Sequence, residues 1–140
     1  MATEAVPTNA SIASTGNVLR YVGEWVYGYS GPVPVGAGGT GVEDLLFQAQ
    51  SGSGVIIAKL QIFYFDTSTN DYFYKIYLND VTVYAYASGG GVSSSQNLAV
   101  AWTNILIPPS SKLKVTAANQ DSGNNRDHSL SLIGRVYGAE

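Results

Sequence analysis

The chain contains no cysteine, which excludes disulfides and thiolate ligation of a metal but says little about the redox compartment. It has one histidine, His128, so a Ser-His-Asp or Cys-His site could use only that residue. His128 stands beside Asp127 in a polar stretch, no G-x-S-x-G elbow accompanies it, and it is read as a loop-end side chain exposed to solvent. Charge is scarce: 12% of the 140 residues are Asp, Glu, Lys or Arg, about half the roughly 25% of an ordinary soluble domain. The net charge is -3 with the basic residues scattered, which gives no electrostatic case for a nucleic-acid partner. No apolar run approaches the roughly 18 residues of a membrane-spanning helix, so no membrane partner is expected. The first 16 residues have neither a basic region nor a hydrophobic core and are not read as a secretory signal. No segment holds a 3.6-residue period over three turns, so no substantial helix is expected.

What is abundant is Gly (16) and Tyr (10), with frequent Ser, Thr and Asn, in a chain that is 45% hydrophobic. Such surfaces hydrogen-bond without the rotamer entropy that long charged side chains lose on contact. They are common on extracellular β-proteins, sugar binders and virion proteins. At 140 residues the chain suits a single domain. We divide it into an arm, residues 1–17, and one β-domain, residues 18–140. The arm is small and polar without periodicity. It reads either as a disordered tail or as an arm ordered against a neighbouring subunit, which Val6, Pro7 and Ile12 could anchor.

Period-two alternation marks the strands. Val18 to Tyr29 reads as one or two strands, with Trp25, Tyr27 and Tyr29 on one side, and Gly23 and Gly28 suggest a bulge or close backbone approach. Ser30 to Gly41 reads as a loop. It is Gly-rich, but no helix follows and no Lys is near, so it does not fit a phosphate cradle. Val42 to Gln50 is a strand, Ser51 to Gly54 a turn, and Val55 to Phe65 a central strand whose face of Ile56, Ala58, Leu60, Ile62 and Tyr64 is wholly apolar. Tyr72 to Tyr86 reads as a hairpin around Asn79-Asp80, both of which tolerate the left-handed conformation of a type I′ turn. Leu98 to Ile107 is a strand ended by Pro108-Pro109. Lys112 to Ala117 alternates as a half-exposed strand, and Leu130 to Tyr137 forms the last one. About eight strands at regular spacing predict an all-β antiparallel sandwich, with a jelly roll ahead of an immunoglobulin-like fold, whose Cys…Trp…Cys core is absent.

No catalytic or metal-binding residues are assigned, and no cofactor is expected. Glu24, Glu43 and Asp44 are the only acids within strand-like text, and the adjacent Glu43 and Asp44 point to opposite faces rather than across the roughly 5–9.5 Å cleft of a glycosidase. Asp121, Asn124, Asn125 and Asp127 offer oxygen ligands but lack a calcium-loop spacing, and a solvated turn is the better reading. The aromatic residues exceed what one sandwich core needs. The surplus fits a protein–protein interface or a sugar-stacking platform, and scarce charge favours the interface. Tyr77, Tyr84, Tyr86, Trp25 and Tyr27 are the interface candidates. In the glycan-binding alternative, Asn124, Asn125 and Asp127 would bond sugar hydroxyls.

The stretch Ile105-Leu106-Ile107-Pro108-Pro109-Ser110-Ser111-Lys112-Leu113-Lys114-Val115-Thr116-Ala117, followed by Ser131-Leu132-Ile133-Gly134-Arg135-Val136-Tyr137-Gly138, resembles minor capsid and capsid decoration (cement) proteins of double-stranded DNA viruses, tailed phages especially. The K-I-Y-L-N-D-V hairpin is similar in style, and the resemblance covers roughly residues 42–138. It implies a β-sandwich or jelly roll, usually a homotrimer, located on the virion at the capsid surface or a vertex. Its partners would be copies of itself and the major capsid or other virion proteins, with a host glycan as a further contact. The resemblance supplies no catalytic residues to carry over, so the chain is read as non-enzymatic.

Overall fold

The computed structural model describes residues 19–36, 42–65, 72–88, 98–119 and 126–138, with the backbone alone at 64–65, 87–88, 98–102 and 126. The expected arm with Val6, Pro7 and Ile12, and Asp121, Asn124 and Asn125, lie outside the described residues. Ten strands are described: β1 (Arg20–Val22), β2 (Trp25–Tyr29), β3 (Val33–Val35), β4 (Glu43–Gln50), β5 (Val55–Phe65), β6 (Tyr72–Leu78), β7 (Val81–Ser88), β8 (Leu98–Ile107), β9 (Lys112–Asn119) and β10 (Arg126–Tyr137).

They form two antiparallel sheets. The larger runs β1-β2-β10-β5-β8 with β3 also on β10, and the smaller runs β4-β9-β6-β7. Setting β1 aside and taking β2 with β3 as one broken strand leaves eight strands that interleave between the sheets. That is the double Greek key of a jelly roll. β2 and β3 follow one another along β10. The break between them is fixed by Ser30, whose backbone N–H donates to the Leu130 carbonyl and whose hydroxyl accepts from the Leu130 N–H. The Ser30–Gly41 region is therefore not all loop. Pro34 sits within β3, where an outermost strand does not need its missing donor.

The core lies between the sheets. Ile56, Ala58, Leu60 and Ile62 of β5 are buried on the face read as apolar, and β5 lies between β10 and β8. Leu130 and Leu132 of β10, Val26 of β2, and Tyr72, Tyr74 and Ile76 of β6 meet them, with Leu113, Val115 and Ala117 of β9. At the hairpin tip Asn79 and Asp80 both take positive φ, 51° and 68°, as a type I′ turn requires.

Two bulges depart from simple alternation. In β4 the register shifts between Leu45 and Phe47, so Leu46 and Phe47 are consecutive yet both buried. In the hairpin it shifts between Ile76 and Tyr77, which leaves Val83 as the extra residue of β7. β9 is more than half-exposed text: Thr116, Ala118 and Asn119 are buried as well, because the strand is interior to its sheet.

His128 corrects its sequence reading. The strand β10 begins before it, its side chain points between the sheets, and it is fully buried. Its Nε2 lies 3.0 Å from the Tyr74 hydroxyl, and its ring meets Tyr72 edge-on at 4.7 Å between centroids. A histidine placed on the inward parity of a strand reaches buried partners that local polarity cannot reveal.

Candidate interaction surface

The two outer faces of the sandwich differ in chemistry. On the smaller sheet, Glu43 accepts hydrogen bonds from the Tyr77 hydroxyl (2.8 Å) and the Thr116 hydroxyl (2.9 Å), and pairs with the Lys75 ammonium at 3.3 Å. Lys114 lies 4.6 Å above the Tyr77 ring, and Lys112 pairs with Asp80 at 3.0 Å. The Tyr77 bond, helped by Thr116 and Lys75 and opposed by partial burial, holds the Glu43 carboxyl below its usual range. The same bond raises the Tyr77 phenol. This face carries a polar network, with Phe73 and Leu45 exposed beside it.

The larger sheet presents another kind of face. Its outward positions include Val22, Trp25, Tyr27 and Tyr29 from the β1–β2 hairpin, Ile57 and Phe63 from β5, Leu106 from β8, and Ile133 and Tyr137 from β10. Val22 is 62%, Leu106 54%, Ile57 49% and Ile133 48% exposed. The register brings these side chains near one another but sets charges among them, Arg135 opposite Ile57 and Lys59 opposite Ile133. Ile57 is the cross-strand partner of Leu106, and Ile133 lies diagonal to Ile57 and opposite Tyr27, within side-chain reach. Its described charged groups are Arg20, Glu24, Lys59, Asp127 and Arg135. Arg135 is ion-paired with Glu24 and lies 4.9 Å over the Trp25 ring. Tyr27 and Tyr29 stand side by side at 5.4 Å.

The five sequence-derived interface candidates therefore occupy three places. Trp25 and Tyr27 are on the outer face of the larger sheet, Tyr77 is in the polar network, and Tyr84 and Tyr86 are on the inner side of β7. Tyr77 does not share a face with Tyr84 and Tyr86, and the bulge is the reason. A regular Asn79-Asp80 hairpin would pair Lys75 with Tyr84 and so set Tyr77, Tyr84 and Tyr86 on one side. The extra residue instead pairs Tyr84 with Ile76 and Tyr86 with Tyr74, turning both rings toward the sandwich interior. Of the glycan candidates, Asp127 is exposed on β10 opposite Pro34. Among the described residues no cluster of three or more His, Asp or Glu is gathered.

Sequence reasoning missed Val22, Ile57, Leu106, Ile133 and Tyr137 as members of one surface. Each lies on a mixed parity in its own strand, such as Ile57 with Lys59 and Gln61. Only the register across four strands brings them together.

No family model matches the sequence, and no curated protein is similar to it in sequence. Similar solved structures include the Eiger TNF of S. frugiperda, at 14% identity and TM-score 0.42, covering 68% of each chain. The VP2 subviral particle of infectious bursal disease virus is similar at 16% identity and TM-score 0.48, covering 87% of this chain and 32% of that one. A family 35 carbohydrate-binding module from Clostridium thermocellum is similar at 15% identity and TM-score 0.42, covering 82% of this chain and 86% of the module. At these identities and TM-scores the likeness carries no argument about what the chain does.

Proposed function

We propose that the chain is a non-enzymatic structural subunit of a virion, a jelly-roll module that associates with copies of itself as a trimer and decorates or stabilises a capsid lattice. The observation that carries the reading is the number of large apolar side chains exposed on the outer face of the larger sheet, Val22, Trp25, Tyr29, Ile57, Leu106 and Ile133 among them. Soluble monomers seldom expose contiguous apolar patches beyond a few hundred Å², and an obligate oligomer interface resembles a core cut in half. The scarce charge and the small polar segment ahead of β1 agree with a subunit that spends its life in contact with others.

The test is the mass of the purified chain at micromolar concentration, by sedimentation and light scattering, with Ile57→Ser and Leu106→Ser as variants. The native chain should run as a trimer and co-sediment with particles. Each substitution should weaken association by roughly tenfold or more, since burying an aliphatic side chain contributes about 1.5–3 kcal/mol. A native chain that is monomeric throughout and ignores particles would sink the proposal.

A carbohydrate-binding reading has one observation behind it, the exposed rings of Trp25 and Tyr29 on the same face, which could stack on sugars. A glycan array that stays blank with and without Ca²⁺ would dismiss it.

A further inference from the structure

Among the described residues the edge strands are β1, β3, β4, β7 and β8, and their charges are sorted by end. At one end stand β1, a three-residue strand carrying Arg20, and β4, which carries Glu43 and Asp44. At the other end stand β7 and β8, reading VTVYAYAS and LAVAWTNILI, without one charged residue or proline between them. Proteins ordinarily defend an open edge with Lys, Pro, a short strand or a bulge. β7 has only the bulge at Val83, near the turn, and Tyr84 to Ser88 pair regularly with Ile76 to Tyr72.

The sandwich is also open at this end. Every described side chain of β7 is exposed. Tyr84 and Tyr86 face inward over Leu60, Ile62, Ile76 and Thr103, and yet each is 39% exposed. Tyr86 stacks on Tyr74 at 6.2 Å, with 18° between the ring planes. Among the described residues the interior at this edge is apolar and only half closed.

We infer that β7 pairs antiparallel with β7 of a second copy, continuing the four-stranded sheet across a two-fold axis and closing the tyrosine-lined opening. An isologous contact sets a strand against a copy of itself, so a charge near the axis would lie beside its like and the two strands would carry the same net charge. The uncharged β7 suits that pairing, and the charged β4 edge does not. The backbone hydrogen bonds of the new ladder supply affinity, as in other strand additions. This surface is separate from the outer face and stands on the edge strands alone.

The test is amide hydrogen exchange on the full native chain, followed by mass spectrometry across a dilution series, with sedimentation in parallel. Amides of residues 81–88 should exchange roughly tenfold or more slowly when concentrated than when dilute. Ala85→Lys, which sets like charges across the axis, should abolish that protection, and Ala85→Thr should keep it. Fast exchange at every concentration, or protection that neither dilution nor Ala85→Lys removes, would overturn the inference. The outer-face proposal fails separately: Ile57→Ser would then leave the mass unchanged while the protection of β7 persists.

Discussion

Gly134 gives the sharpest test of the fold. It lies in the second half of β10, inward-facing, between Val26 of β2 and Ala58 of β5. A Cβ added there would sit 2.5 Å from the Ile57 carbonyl oxygen and 2.6 Å from the Ala58 Cβ. Close C···O contacts between strands normally lie at about 3.3–3.6 Å, so β5 and β10 would have to part by most of an ångström. Both are long interior strands and cannot yield as a loop would. Over-packing of this kind costs about 1–3 kcal/mol, and stretching one or two neighbouring ladder bonds adds about 0.5–1.5 kcal/mol each. The entropy an alanine removes from the unfolded chain returns only about 0.4–1 kcal/mol. Gly134→Ala should therefore destabilise by roughly 2–3 kcal/mol, lowering Tm by about 6–10 °C for a domain of this size. Urea unfolding followed by circular dichroism, at one fixed protein concentration because association shifts apparent stability, measures it. A variant as stable as the native chain would refute the tight β5–β10 approach.

Two further perturbations address the interior and the polar face. His128→Ala removes a fully buried ring from between Tyr72 and Tyr74 and deprives the Tyr74 hydroxyl of this partner, so a loss of about 2–4 kcal/mol in urea unfolding is expected. A change near zero would place the ring in solvent instead. Glu43 has its carboxyl pKa lowered in the folded state, first by the Tyr77 hydrogen bond. Its contribution is therefore present above the unfolded carboxylate value and lost as pH falls through the lowered folded one. Because the group is exposed, solvent screening keeps the effect under about 1 kcal/mol. Glu43→Gln should flatten that part of the acid limb of stability against pH, and an unaltered acid limb would remove Glu43 from the account.

The strands and their class were legible because period-two alternation is local. β5, the Asn79-Asp80 turn and the Pro108-Pro109 stop could each be read from a few neighbouring residues. What could not be read was set by events that leave little local trace. One bulged residue, Val83, moves Tyr84 and Tyr86 from one side of the sheet to the other. Another, Leu46, buries two consecutive side chains of β4. His128 looked solvated because its sequence neighbours are polar, whereas its spatial neighbours are tyrosines from a strand more than fifty positions away. The apolar outer face was invisible for the same reason: Leu106, Ile57, Ile133 and Tyr27 come from four separate stretches that only the register assembles.

The distribution of charge bears on how copies of the chain would meet. Charged side chains stand on both outer faces and at the β1–β4 end, and the β7–β8 edge carries none. The apolar outer face of the larger sheet and the uncharged β7–β8 edge point in roughly perpendicular directions. A two-fold contact at the edge alone closes as a dimer, and a rotational contact through the face alone closes as a small ring. When both operate on one subunit, each ring gains free edges and each dimer gains free faces, so growth continues into a sheet or a shell. Neither contact then needs to be strong by itself, because the first raises the effective concentration for the second. A bulge that turns Tyr84 and Tyr86 inward fits this arrangement: it reserves the rings for the edge, where a second strand can cover them, and leaves Tyr77 alone of the three on the outer face of the smaller sheet.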